Sequence, residues 1–200
     1  MKQLSIRAIA PTVLIVFFGA LMLVSGINFA DAAGQSAAPG KNPLTCFGEP
    51  TACTSSGKVA TLNTNNGGAG VYLPGFNSSF YGVRTALVTK LSNTVSGDAL
   101  GIDPRWSIPI DTDNDGYTNF FAFVSFADCN NGAGLVDVIN DATCTIYRDS
   151  VAYPNWSTMV TANPNDYIAL NDNYAFIIAD LSGVPGTWTI GSVQVGKPGK

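Results

Sequence analysis

The chain has 200 residues, is 46% hydrophobic and only 12% charged, and carries a net charge of −4. That length and apolar content suit one domain with a core of its own. There is no histidine, which excludes His-based acid–base catalysis, Ser-His and Cys-His nucleophile pairs, and His-ligated zinc or haem. The acidic balance argues against a nucleic-acid partner, which would require a basic patch.

At the N-terminus Lys2 and Arg7 precede an apolar run from Ala8 to Ile27, and Ala30-Asp31-Ala32 follows. A positive start, an apolar stretch and a small-x-small site together predict a secretory signal over residues 1–32, cleaved after Ala32. The run approaches the ~20 residues that span a bilayer. The alternative is therefore an uncleaved anchor, the only part of the chain expected to meet a membrane. No second long apolar run follows, so the expected location is extracellular, cell-surface or periplasmic. Cleavage would leave eight basic and thirteen acidic residues, a net charge of −5. Residues 33–43 are rich in Ala, Gly and Pro and are expected to form a flexible arm. Folded sequence is expected over 44–200.

Cys46, Cys53, Cys129 and Cys144 all lie in the exported part. An even count in an oxidising compartment points to disulfides. Four cysteines allow three pairings. Cys46–Cys53 and Cys129–Cys144 are preferred because each closes a short local loop.

From Leu44 onward, short apolar runs alternate with clusters of Gly, Pro, Asn and Asp. Strands are predicted near Lys58–Leu62, Gly70–Leu73, Val83–Leu91, Tyr117–Ala127, Leu135–Ile139, Cys144–Arg148, Tyr167–Leu170, Tyr174–Leu181 and Thr187–Val195. Phe120–Phe126 is apolar at nearly every position, which predicts a central strand. No stretch after the signal carries a clean 3.6-residue period over 12 or more residues. Many short strands at close spacing predict an all-β domain, an antiparallel β-sandwich or jelly roll. Asn65–Gly70 and Asn130–Gly134 resemble each other and are expected to be glycine turns.

One segment carries chemistry. Asp111-Thr112-Asp113-Asn114-Asp115-Gly116-Tyr117 places carboxylates at alternate positions before a glycine. Over about nine residues it resembles the calcium loops of EF-hands, dockerins and thrombospondin-type repeats. Ca²⁺ takes six to eight oxygens at ~2.4 Å, and a tight loop turns positions 1, 3 and 5 toward one point. The resemblance implies ligands from Asp111, Asp113 and Asp115, the carbonyl of Tyr117 at position 7, and Asn119 at position 9. Position 12 departs from the pattern: Ala122 stands where an EF-hand has a bidentate Glu. The residues that follow predict a strand, so a calcium sensor built on paired helices is not expected. Asp103 is the nearest candidate in sequence for a missing ligand.

Other motifs are weaker. Asp-x-Asp after the apolar Trp106–Ile110 run looks superficially like the nucleophile motif of haloacid-dehalogenase-type phosphatases, but the alternating β/α pattern of that family is missing. Ser55-Ser56-Gly57-Lys58 matches the Ser-x-x-Lys of penicillin-binding enzymes without its companion motifs. Of Trp106, Trp156 and Trp188, Trp156 lies in a loop-like stretch and is the best exposed candidate for stacking on sugars. Asn77-Ser78-Ser79 and Asn155-Trp156-Ser157 match the glycosylation sequon.

These features predict a secreted or surface protein with a binding or structural role, stabilised by calcium and disulfides. Its partner would be a glycan or a cell-surface or matrix protein. Two alternatives remain. One is a small carbohydrate-active enzyme using paired Asp carboxylates. The other is a subunit of an extracellular filament, self-associating by strand exchange through the arm. Mass spectrometry of the exported protein should find Ala33 as the first residue; a product that keeps Met1 would favour the anchor.

Overall fold

The computed structural model describes residues 43–74, 80–129, 134–171, 173–180 and 183–196. The expected signal, nearly all of the arm, the Asn77 sequon and most of the Asn130–Gly134 turn lie outside them. Among the described residues no helix is long and apolar enough to cross a membrane.

The described chain is all-β, in two antiparallel sheets with few helices. The first sheet runs in the order β1 (Thr45–Gly48), β4 (Ala69–Tyr72), β12 (Phe176–Ala179), β6 (Arg105–Asp111), β7 (Phe120–Ser125), β9 (Ile146–Arg148) and β10 (Val151–Tyr153). A short strand, β11 (Tyr167–Ile168), pairs with the end of β6. The second sheet runs β2 (Cys53–Ser56), β3 (Val59–Asn63), β13 (Thr187–Gly196), β5 (Lys90–Gly97) and β8 (Leu135–Asp137). The described residues also include two short α-helices, α1 (Phe126–Cys129) and α2 (Trp156–Ala162).

The sheets share one core. Period-two alternation sends Val71, Ile177, Trp106 and Val124 inward from the first sheet, and Leu62, Leu91, Trp188 and Ile190 belong to the same cluster from the second. Buried polar groups inside such a core need partners. The Trp106 indole N–H donates to Oδ1 of Asn93 on β5 at 2.9 Å, and Asn93 is fully buried. This bond crosses from one sheet to the other.

Both expected disulfides are present. Cys46–Cys53 joins β1 to β2, and so the edge of one sheet to the edge of the other. Cys129–Cys144 joins the end of α1 to the segment before β9. Its cysteines are buried at 1% and 0% exposure.

Several expected elements are corrected. Val83–Leu91 is not a strand: Thr85–Leu87 forms a 3-10 turn, and the strand is Lys90–Gly97. Thr85 is drawn out of extended pairing because its N–H and hydroxyl both donate to the carbonyl of Asp166. Tyr117–Ala127 shortens to Phe120–Ser125, and Phe126–Cys129 turns helical. β7 does lie inside its sheet, between β6 and β9, but Phe121 and Phe123 face outward and Phe123 is 37% exposed. Trp156 is not an exposed platform. It opens α2, is 3% exposed and packs into the core. Asn155, the sequon residue before it, caps that helix by accepting from the Thr158 N–H at 2.8 Å.

Asn93→Ala leaves the buried Trp106 N–H without an acceptor. Chemical denaturation should register a loss of about 1–3 kcal/mol; an unchanged midpoint would show that the inter-sheet bond contributes nothing.

Candidate metal centre

The Asp111–Asn119 loop joins β6 to β7, and its shape is set from the β6 end. Asp111 is the last residue of β6, opposite Tyr167 of β11, and is 2% exposed. A buried carboxylate requires donors, and the loop's own backbone provides them. Oδ1 accepts from the N–H groups of Asp113 at 3.1 Å and Asn114 at 2.7 Å. Oδ2 accepts from the N–H of Gly116 at 2.8 Å. An ionised carboxylate has about four lone-pair sites, so one position on Oδ2 is left beyond these three bonds.

Folding the chain over Asp111 needs left-handed backbone. Asn114 has φ +62° and Gly116 has φ +94°, where Asn and Gly are the tolerant residues. A Cβ at position 116 would fall 2.4 Å from Nδ2 of Asn171. The Gly116 carbonyl accepts from the N–H groups of Leu170 and Asn171, both at 2.9 Å, which ties the loop to the segment after β11.

This fold gathers the carboxylates. One oxygen from each of Asp111, Asp113 and Asp115 lies within 4.8 Å of the other two. Asp113 and Asp115 are exposed while Asp111 is buried. Asp115 Oδ1 accepts from the N–H of Tyr117 at 2.8 Å, which fixes its direction along the loop.

The other expected ligands fare differently. Tyr117 sits in the loop with an exposed side chain, and its carbonyl is the group of interest. The Oδ1 of Asn119 accepts from the N–H of Thr112 at 2.6 Å and from its hydroxyl at 2.9 Å, and Asn119 N–H donates to the Ile110 carbonyl. Asn119 thus closes the neck of the loop, and its oxygen is already engaged. Ala122 is buried in β7. Asp103 is not a supplementary ligand: it lies beyond the opposite end of the seven-residue β6, whose length alone is roughly 20 Å at ~3.3 Å per residue step. There it accepts from Arg105 at 2.5 Å and from the Gly183 N–H at 3.2 Å.

Asp166, the remaining buried carboxylate among the described residues, is also committed. It takes a bidentate pair of hydrogen bonds from Arg148, at 2.6 and 2.9 Å, and these raise the guanidinium pKa above its ordinary value.

Comparison with protein-family models, with curated proteins and with solved structures finds no match to this chain. The loop is therefore interpreted from its own geometry.

Asp111 and its two neighbours should separate in a mutational test made in chelator. Asp111→Ala removes the acceptor of three loop N–H groups and should lower stability by about 1–3 kcal/mol. Asp113→Asn and Asp115→Asn remove only repulsion and should leave the melting temperature equal or slightly higher. Equal losses from all three would contradict this division of roles.

Proposed function

We propose that the protein is an exported, non-enzymatic binding or structural protein on a β-sandwich scaffold, with a Ca²⁺ ion holding the Asp111–Asn119 loop. Export is supported by the charged–apolar–small pattern of residues 1–32 and by the two disulfides. The observation that carries the metal is the convergence of three carboxylate oxygens to within 4.8 Å. Three negative charges at that spacing repel one another unless a cation sits among them.

The proposed ligands are Asp111, Asp113, Asp115 and the Tyr117 carbonyl, with water completing the shell as hard oxygen-ligated cations require. Asn119 buttresses the loop through Thr112. The role is structural. The loop is flanked by strands β6 and β7, so it has no helix pair to swing open when the ion binds. Locking the loop fixes the angle at which β7 leaves β6.

The enzyme alternative is less well supported. Outside the loop, the guanidinium of Arg105 bonds both Asp103 and Asp180, and Asp166 is bonded to Arg148. Carboxylates held in such ion pairs are unsuited to acid and base duty on a sugar.

Binding to the folded state alone stabilises by about 2.7 kcal/mol when free Ca²⁺ stands at ~100 times Kd. The melting temperature should rise with Ca²⁺ and fall with chelator, and Asp113→Asn combined with Asp115→Asn should abolish the response. If calorimetry at millimolar Ca²⁺ detects no binding to the wild type, the loop is an acidic turn and the metal reading fails.

A further inference from the structure

The outward face of the first sheet carries a stripe of aromatic rings. Pairing register puts Tyr72 of β4, Phe176 of β12, Phe123 of β7 and Tyr147 of β9 in one row on that face. Phe47 and Phe121 stand in the rows to either side. Five of these rings pack against one another. Phe47 stacks on Tyr72 at 4.2 Å between centroids, Phe176 meets both edge-on, and Phe121 lies 5.2 Å from Phe176 and 6.4 Å from Phe123. Gly70 makes room for this: a Cβ there would fall 2.2 Å from Cζ of Phe47, so the ring lies down on the bare backbone. Phe123 is 37% and Tyr147 46% exposed.

The shape of the stripe limits what covers it. It crosses six strands, from β1 to β9, a length of roughly 24 Å at ~4.8 Å per strand, and its three rows span about 14 Å. That is about 340 Å² per copy. Two copies face to face would bury about 700 Å², short of the ~1,000 Å² a stable protein interface requires. A peptide is also a poor fit, since peptides that recognise sheets pair with an edge strand, and this is a face whose backbone groups already pair within the sheet. The charged groups on the face, Arg105 and Asp180, are hydrogen-bonded to each other, so an anionic ligand meets no unneutralised cation.

We propose that this stripe binds an uncharged linear polysaccharide laid across the strands, its sugar rings stacked on the Phe47–Tyr72 pair at one end and on Phe123 and Tyr147 at the other. The apolar C–H face of a sugar ring suits the negative face of an aromatic ring. The phenol hydroxyls of Tyr72 and Tyr147 can exchange hydrogen bonds with ring hydroxyls. The site uses none of the loop residues.

The test is affinity electrophoresis of the full exported chain in gels containing β-1,4-glucan, soluble chitin oligomers or mannan, with polygalacturonate as the anionic comparison. At least one neutral glycan should retard the protein. Phe123→Ala with Tyr147→Ala should weaken that retardation by about tenfold or more. Lys58→Ala, in the exposed turn between β2 and β3 of the other sheet, should leave it unchanged. Both aromatic side chains are exposed, so the variant is expected to fold; Tyr147→Ala alone, at the more exposed ring, replaces it if it does not. The proposal is overturned if no neutral glycan binds, if polygalacturonate binds best, or if the aromatic variants bind as well as wild type. Sedimentation equilibrium showing a dimer that these variants dissolve would also overturn it, in favour of self-association.

Discussion

A strand with no exposed residue has to find partners for its polar groups inside the protein, and β6 (Arg105–Asp111) is such a strand, with the Ser107 hydroxyl left without one. Its neighbours follow from that demand. β7 pairs along one side of it, while β12 and β11 share the other. Pro109 lacks an N–H, which ordinarily bars it from a central strand. Here it lies between the two stretches of pairing, after Ser107 opposite β12 and before Ile110 opposite β11. Trp106 sends its one donor across the core to Asn93. The two charged residues of the strand are its ends. Arg105 is held by Asp103 and Asp180, and Asp111 by the N–H groups of its own loop.

The loop is thus a consequence of terminating a buried strand with a carboxylate. Asp111 has to collect donors, and the chain has to fold back over it to provide them. That fold brings Asp113 and Asp115 near Asp111 with their side chains still in water. One arrangement solves the burial of Asp111 and creates the repulsion that a cation would relieve. Gly116 then passes the constraint to the segment after β11 through the two N–H groups its carbonyl accepts. The outward face of the same sheet is different in character: there the rings pack on one another because period-two alternation leaves them no core to enter.

The all-β class and the local disulfides were legible in the sequence, because β-branched runs and cysteine spacing are local signals. The same holds for Asp111–Gly116, where Asn and Gly fall at the left-handed positions. What escaped needed long-range information. The Trp106–Ile110 run does not read as a strand by itself, since Pro109 in isolation signals a break and its tolerance depends on where β12 and β11 stop. β1 and β2 are four-residue strands of mixed polarity, stapled by a disulfide and formed only against β4 and β3. Trp156 looked exposed because Pro154 and Asn155 read as loop, whereas Asn155 is a helix cap. Phe120–Phe126 gave its apolar content but not its faces: with hydrophobics at both parities, sequence cannot say which side has a partner. Asp103 is near the loop in sequence, yet the extended β6 carries it to the far end.

The central claim is that Asp111 organises the loop and that a cation bound by Asp113 and Asp115 tightens it. Residue-resolved amide hydrogen exchange, with and without Ca²⁺, addresses it most directly. The account predicts that the amides of Asp113, Asn114 and Gly116, which donate to Asp111, are protected even in chelator and exchange more slowly still when Ca²⁺ is added. Rapid exchange of these amides in chelator, or rates that do not respond to Ca²⁺, would contradict it.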